Sequence, residues 1–188
     1  MNRKTFRGIS MLVVLLLTAA VQLKAQDKQT VYAASGEKVI TGPLTMKALA
    51  NDSAFGWFYT GVNKYKPDPA LIKYISAYRD SFDVVVFAGT WCQETKDLLP
   101  KFFSTMLASS YPVARIHMYG VDQKLDMPGD EAKQLHLTKV PTFIVLRKGK
   151  EVGRIEERVQ KSIEADLVAI LDKMMAAEQG TKAVTAHR

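Results

Sequence analysis

The stretch Val84–Pro100, VVVFAGTWCQETKDLLP, contains the only cysteine of the chain, Cys92. Val84–Ala88 is a continuous apolar run rich in β-branched residues, which is typical of a strand buried on both faces. After Cys92 the apolar residues recur at helical spacing, at Leu98, Leu99, Phe102, Phe103 and Met106. The sequence therefore predicts that Cys92 lies where a buried strand gives way to an amphipathic helix.

This position predicts a reactive thiol at Cys92. The start of a helix has unpaired backbone N–H groups and a partial positive charge, and both stabilise a thiolate. Such surroundings lower the pKa of a cysteine from about 8.5 to roughly 3.5–7.5. The alternative is an inert cysteine in the core, because free cysteine is among the residue types most often buried.

The same residues resemble the thioredoxin family, in which a buried strand is followed by Trp-Cys-x-x-Cys and a helix with a proline kink. Trp91, Cys92, Lys96 and Pro100 stand at the matching positions. A second match is Val140-Pro141-Thr142, which precedes an apolar run as the family's cis-proline loop does. The resemblance extends over Asp83–Met175, about half of the chain.

The resemblance implies an α/β fold: a thioredoxin-like three-layer α/β/α arrangement, with a mixed central sheet and helices on both faces. The expected domains are a signal peptide at 1–25, an N-terminal extension at 26–80 with a helix near 69–79, and a thioredoxin-like domain at 81–175. Residues 176–188 lose the apolar pattern and are expected to form a flexible tail.

Two departures from the family pattern concern the second half of its chemistry. Thr95 stands where the second cysteine is expected. Val86 aligns with the buried acid that helps to deprotonate that cysteine. Both parts of the resolving machinery are therefore missing together, which favours a genuine one-thiol variant.

Carried over residue by residue, the resemblance implies that Cys92 is the catalytic nucleophile and that a set of residues contacts the client. Thr95, three residues along on the same helix face, is the second catalytic candidate: its hydroxyl would donate a hydrogen bond to the thiolate or, equally, bond the backbone. The implied substrate-binding residues are Trp91, Val140, cis-Pro141 and Lys139. Val140 would pair with the client's backbone. Lys139 would stabilise the thiolate, and an ordinary solvated lysine is the alternative.

The N-terminus has the composition of an export signal. Arg3, Lys4 and Arg7 precede the apolar run Met11–Val21, which is too short to span a bilayer, and Ala25 suits a cleavage site. We expect a mature chain from Gln26 with no stable membrane span, in the periplasm or secreted from a bacterial envelope. The alternative is an uncleaved membrane anchor.

Charge and composition exclude several function classes. Residues 1–25 hold four of the 26 basic residues and none of the 19 acidic ones, so the net charge of +7 falls to +3 without them. No basic cluster is interleaved with aromatic residues, which argues against nucleic-acid binding. One cysteine and three scattered histidines predict no metal site, and no motif predicts a cofactor.

The remaining elements follow from local patterns. Asp68-Pro69 is a helix start, and Ser162 is expected to cap the last helix. The aromatic stretch Phe55–Tyr59 is expected to pack on the core, with a client-docking patch as the alternative. Further predictions are a short edge strand at Val39-Ile40, a strand over Val113–Val121, a short helix over Pro128–Leu135 and a hairpin formed by Phe143–Arg147 and Glu151–Glu157.

Three functions remain open at this point. The favoured one is thiol–disulfide exchange on protein clients through Cys92, with mixed disulfides resolved by an external thiol. The second is a redox-inactive module that binds extended peptides or proteins. The third is a protein of the same fold with a vestigial thiol.

Overall fold

The computed structural model describes residues 29–33 and 36–185; the expected signal peptide lies outside these ranges. The strands are β1 (Gln29–Tyr32), β2 (Lys38–Leu44), β3 (Asp83–Ala88), β4 (Ile116–Gly120), β5 (Thr142–Arg147) and β6 (Lys150–Glu156). The helices are α1 (Met46–Ala50), α2 (Gly56–Lys64), α3 (Pro69–Tyr78), α4 (Gln93–Ala108), α5 (Glu131–Gln134) and α6 (Ile163–Thr185).

The six strands form one mixed sheet in the order β1-β2-β4-β3-β5-β6. Strands β3 and β4 are parallel, as the strand–helix–strand order predicts. Strand β5 lies antiparallel to β3 and forms the expected hairpin with β6. The turn of this hairpin has positive φ at Lys148 and Gly149. Strand β3, which leads to Cys92, is therefore central in the sheet.

The N-terminal strands differ from the predicted edge strand at Val39-Ile40. Strand β2 lies inside the sheet, between β1 and β4, and pairs antiparallel with both. Its contact with β4 requires Gly120, because a Cβ there would lie 2.1 Å from the Ile40 carbonyl oxygen. Strand β1 was not predicted, and all four of its side chains are exposed. A strand without a buried face lacks the alternation that reveals strands in a sequence.

Each face of the sheet carries its own apolar cluster, because alternate side chains of a strand point to opposite faces. One face is covered by α1–α4 and α6, and its cluster includes Val84, Val86, Phe103, Phe143 and Leu171. The other is covered by α5 and the chain around it, and its cluster includes Val85, Phe87, Cys92, Val140 and Ile144. Helices therefore lie on both faces of a mixed sheet, which confirms the predicted α/β fold class.

The N-terminal helices share the larger of the two clusters. Phe55 and Phe58 are buried, and the Phe58 ring meets Phe103 of α4 edge-on at 5.4 Å between centroids. Packing of this aromatic stretch on the core is thus confirmed for both residues, while Tyr59 is exposed. The larger cluster therefore contains residues from both expected parts of the chain, before and after residue 81.

Helix boundaries follow local chemistry. The Asp68 carboxylate accepts the N–H groups of Ala70 and Leu71, and the Ser162 hydroxyl accepts the N–H of Ala165, so both predicted caps are confirmed. The helix predicted over Pro128–Leu135 is shorter, Glu131–Gln134.

Backbone conformation explains this shorter helix, and two other elements also depart from their predicted bounds. Gly129 has a φ of 99°, so the helix cannot include it. Strand β4 begins only at Ile116, after a 3₁₀ turn over Val113–Arg115. Helix α6 runs to Thr185, past the expected start of a flexible tail at residue 176.

Candidate functional site

Cys92 is the N-cap residue of α4, at the carboxyl end of the central strand β3. Its N–H donates to the Gly89 carbonyl at 2.9 Å, and its carbonyl accepts the Lys96 N–H at 3.1 Å. The tight turn after Ala88 thus places the side chain at the helix start, where the sequence predicts it. The residue is only 7% exposed.

Thr90 joins this turn to the N-terminal part of the chain, a role that sequence reasoning missed. The side chain is fully buried. Its hydroxyl accepts the Ile40 N–H and donates to the Lys38 carbonyl, both at 3.3 Å. Strand β2 therefore supports the turn that carries Cys92. The only sequence signal for this role is a polar residue between an apolar strand and an apolar helix.

Trp91 lies beside the thiol on a fixed support. Its indole Nε1 donates to the Val121 carbonyl at 3.0 Å. A Cβ at Gly89 would lie 2.8 Å from the ring, so only glycine fits under it. The half-buried ring is therefore held against the turn, with part of its surface exposed to solvent.

The loop before β5 faces the sulfur from the other side. The Val140–Pro141 peptide bond is cis. The Val140 carbonyl oxygen lies 3.4 Å from Cys92 Sγ, and the Pro141 carbonyl accepts the Glu157 N–H at 2.7 Å. The structure thus brings Cys92, Trp91, Val140 and Pro141 together, as the resemblance implies.

A second contact of the sulfur was not predicted: Glu94 Oε2 lies 3.1 Å from Cys92 Sγ. A protonated thiol donates to this carboxylate, and the contact lowers the pKa of Glu94. The thiol has a single proton, so Glu94 and the Val140 carbonyl compete for it. The sequence signal for Glu94 is an acidic residue in the first turn of the helix, two positions after the cysteine.

The expected low pKa of Cys92 is wrong. Burial raises the pKa of the thiol, and the Glu94 carboxylate raises it further. The backbone N–H groups of Thr95 and Glu94 act in the opposite direction, as the helix start predicts. Desolvation outweighs them because the sulfur is enclosed by the Val140 loop. The resting site therefore holds a neutral thiol.

Thr95 lies one turn along α4 and faces the same sulfur. Its hydroxyl contributes to lowering the pKa of Cys92. The side chain is fully buried, and its Oγ1 has no regular hydrogen-bond partner in the part of the chain that the structure describes. The hydroxyl therefore bonds neither the thiol nor the backbone with regular geometry.

Lys139 forms an ion pair away from the sulfur. Its ammonium pairs with the Glu157 carboxylate at 2.8 Å and is exposed. Lys96, the family-matched lysine, pairs with Glu37 at 2.5 Å. Neither lysine supplies the positive charge that would stabilise a Cys92 thiolate directly.

The two histidines of the described chain do not contact the thiol. His117 and His136 are exposed, and neither forms a hydrogen bond with Cys92. Val86 is fully buried in the cluster on the α4 face.

Over residues 29–33 and 36–185, no group of three or more histidine, cysteine or acidic residues is arranged to hold a metal ion. No helix in these ranges is long and apolar enough to cross a membrane.

A cysteine on a strand-to-helix turn opposite a cis-proline loop is typical of the thioredoxin fold, and comparison with known proteins agrees. The Thioredoxin family model matches residues 70–173, more than half of the chain. The chain belongs to the thioredoxin family. At family level this indicates a redox function based on thiols.

Two thioredoxins of Saccharomyces cerevisiae are similar to part of the chain. Mitochondrial Thioredoxin-3 is 33% identical over 72 residues, which are 38% of this chain and 52% of that protein. Thioredoxin-1 is 30% identical over 77 residues, 41% of this chain and 69% of that protein. The chain thus spans about half of the first relative and about two thirds of the second.

A solved structure supports the fold over a longer part of the chain. A protein of unknown function from Pseudomonas aeruginosa has a TM-score of 0.51 at 17% identity, covering 73% of this chain and 93% of that one. At this identity the likeness shows the fold alone.

Proposed function

We propose that the protein is an exported thiol–disulfide exchange protein that works with one thiol, Cys92. The thiolate of Cys92 attacks a disulfide of a protein client, so that a mixed disulfide forms and one client sulfur leaves as a thiolate. A second thiol, from the client or from a small molecule, then attacks the mixed disulfide and releases Cys92.

The observation that carries this proposal is the position of the sulfur. Cys92 Sγ lies 3.4 Å from the Val140 carbonyl, between the cis-proline loop and the start of α4, in a chain of the thioredoxin family. A client strand that pairs with the loop at Val140 would present its disulfide to this sulfur.

The missing second thiol determines how the reaction ends. In a two-cysteine site, a thiol one helical turn away attacks the mixed disulfide at high effective concentration. Thr95 occupies that position and has no sulfur, and Val86 offers no carboxylate to deprotonate a thiol there. Release therefore depends on an external thiol.

The raised pKa of Cys92 determines when the reaction starts. Because only the thiolate attacks a disulfide, and the folded protein holds Cys92 protonated at neutral pH, exchange is slow there. The rate rises as the pH approaches and passes the pKa of the thiol. Client binding accelerates the reaction if it supplies positive charge.

Export is part of the proposal. An oxidising compartment outside the cytoplasm contains the disulfide-bonded clients that such a thiol needs. The intact mass of exported protein should correspond to a chain that begins near Gln26. A mature species that retains Met1 would contradict it.

The test is insulin reduction with a small thiol as donor, run on the wild type, Cys92→Ser and Thr95→Cys. The wild type should accelerate the reaction, and Cys92→Ser should not. Thr95→Cys should form an internal disulfide and turn over faster. Adding Val86→Asp to Thr95→Cys should accelerate it further, with a loss of stability because the acid is buried. If Cys92→Ser equals the wild type, the exchange proposal fails.

A second candidate, a peptide-binding module, is favoured by the protonated and almost fully buried state of Cys92. In this case Trp91 and Val140 bind an extended client without chemistry. Calorimetric titration of an extended, cysteine-free peptide into the wild type and into Cys92→Ser separates the two candidates. Equal affinities together with no effect of Cys92 on insulin reduction select the binding module.

A further inference from the structure

Glu94 is the one charged side chain within hydrogen-bond distance of the Cys92 sulfur in the described part of the chain. Its Oε2 lies 3.1 Å from Sγ. It stands in the first turn of α4 and is half-buried, whereas the sulfur beside it is buried. A client that approaches the sulfur therefore also meets this carboxylate.

We propose that Glu94 selects the disulfides with which Cys92 reacts by their charge, favouring disulfides flanked by positive charge and disfavouring those flanked by carboxylates. The proposal rests on the proposed exchange function and names the class of client for the same site. Glu94 acts here as a specificity-determining residue beside the nucleophile.

The physical reason is the charge of the reacting site. When Cys92 loses its proton, the thiolate and the Glu94 carboxylate become two negative charges in contact, which disfavours the thiolate. A cationic group next to the client's disulfide offsets this repulsion, and an anionic group adds to it. The reaction is therefore fastest with the client that neutralises Glu94.

The charged side chains around Glu94 weaken its influence on a bound disulfide, but none of them takes its place beside the sulfur. Arg158, in the exposed loop after β6, lowers the pKa of Glu94 through space, but the two side chains form no ion pair. Lys139 is paired with Glu157, and Glu156 is held by Arg154 at 3.5 Å. Glu94 is thus the carboxylate that touches the Cys92 sulfur, and a disulfide bound at this sulfur lies next to it.

Small disulfides of different charge provide the test. Cystamine carries two ammonium groups, hydroxyethyl disulfide is neutral, and dithiodipropionate carries two carboxylates. With each, Cys92 loses its proton to water and attacks one sulfur. A Cys92–sulfur bond forms, the probe's disulfide breaks, and the leaving thiolate takes a proton from water.

The measured quantity is the ratio of the rate constants for cystamine and dithiodipropionate, followed by intact mass. Because the two leaving thiols differ in basicity, the informative value is the change in this ratio between variants. The variants are Glu94→Gln and, as a matched control, Asp97→Asn. Asp97 is also on α4, but its carboxylate pairs with Lys101 at 2.8 Å rather than with the sulfur.

In Glu94→Gln the ratio should fall about three- to tenfold, the effect expected of one partly screened unit charge a few ångströms away. The rate with hydroxyethyl disulfide should rise, since the thiol ionises more easily. Asp97→Asn should change the ratio by less than about twofold, because its charge is farther away and already paired.

Two results would overturn the inference in different ways. If all three probes modify wild-type Cys92 but Glu94→Gln leaves the ratio as it is, charge selection by Glu94 is wrong and the exchange function stands. If no probe modifies Cys92 in wild type while Cys92 of the denatured chain reacts, the exchange function is wrong and the inference fails with it.

Discussion

At the scale of single residues, two opposing influences act on the sulfur of Cys92. The N–H groups at the start of α4 lower the pKa of the thiol, while burial against the Val140 loop and contact with Glu94 raise it. The helix start is a local property, but burial is set by a loop 48 residues away along the chain. Their balance leaves a neutral thiol in the resting site.

Thr95→Val tests the role of the buried hydroxyl at the site. The substitution removes an oxygen without a regular partner, so we expect a gain of about 1 kcal/mol in the free energy of unfolding. It also removes a group that lowers the pKa of Cys92, so the pH midpoint of alkylation should move upward. Urea unfolding and iodoacetamide rates at several pH values measure the two effects.

Thr105→Val is the matched control for this prediction. Thr105 is also on α4 and fully buried, and its Oγ1 has no partner among the described residues either. It should give a similar gain in stability and leave the alkylation midpoint where it is. An unchanged midpoint in Thr95→Val would show that the hydroxyl does not act on the sulfur.

The composition of the site could be predicted from the sequence, but its electrostatics could not. Trp91, Cys92 and Val140 were found because their spacing matches the family, and the structure places them together. Whether the pKa of Cys92 rises or falls depends on how completely the Val140 loop covers the sulfur. No local sequence pattern predicts this coverage. Glu94 was missed for a related reason: an acid in the first turn of a helix ordinarily indicates a favourable helix end.

At the scale of elements, the helix that carries Cys92 is positioned by a close contact with α2. A Cβ at Gly61 would lie 2.6 Å from the Pro100 Cβ, so the two helices cross where α2 has no side chain. Pro100 is inside α4 and is buried. The proline that the family pattern places in this helix therefore also fixes its packing distance from the N-terminal region.

Gly61→Ala should destabilise the protein by about 1–3 kcal/mol, because the added methyl group forces the helices apart. Gly56→Ala, at the start of the same helix, is the control: nothing lies within 4 Å of a Cβ there. It should be neutral or slightly stabilising, since alanine favours a helix. Thermal unfolding of both variants measures the difference, and equal melting temperatures would contradict the contact.

The elements that sequence patterns predict well are those with a strong apolar period. Helix α4 has such a period, strand β3 is a continuous apolar run, and both match their predicted positions. Strands β1 and β2 were underestimated, because β1 exposes all four side chains and β2 joins the sheet partly through Gly120. The pairing of β2 with β4 depends on a partner some 75 residues away and leaves little local trace.

At the scale of the whole molecule, the N-terminal region is part of the fold that supports the site. The Glu164 carboxylate of α6 accepts the Tyr65 hydroxyl at 2.9 Å and the Asp68 N–H at 3.2 Å. The buried side chains that this region adds to the larger cluster include Ile40, Leu49, Phe55, Phe58 and Ile75. The larger cluster is therefore built from both the N-terminal region and the later part of the chain.

A chain that begins at Ser81 should fail to fold, although most of the family match lies within it. Full burial of an apolar side chain stabilises by about 1.5–3 kcal/mol, so the five residues above contribute on the order of 10 kcal/mol. This is comparable with the whole stability of a domain, about 5–15 kcal/mol. Circular dichroism and thermal unfolding, with the chain from Gln26 as control, test this. A cooperative transition in the short chain would contradict it.

The most direct test of the central claim, exchange through one thiol, is the intact mass of the protein after incubation with an oxidised client such as insulin and acid quenching. We predict a mixed disulfide on Cys92 in the wild type, absent in Cys92→Ser. A small thiol should release it, and Thr95→Cys should resolve it faster without that addition, through its own second thiol. The claim is contradicted if no adduct forms on the wild type with any oxidised client, or if Cys92→Ser forms the same adduct.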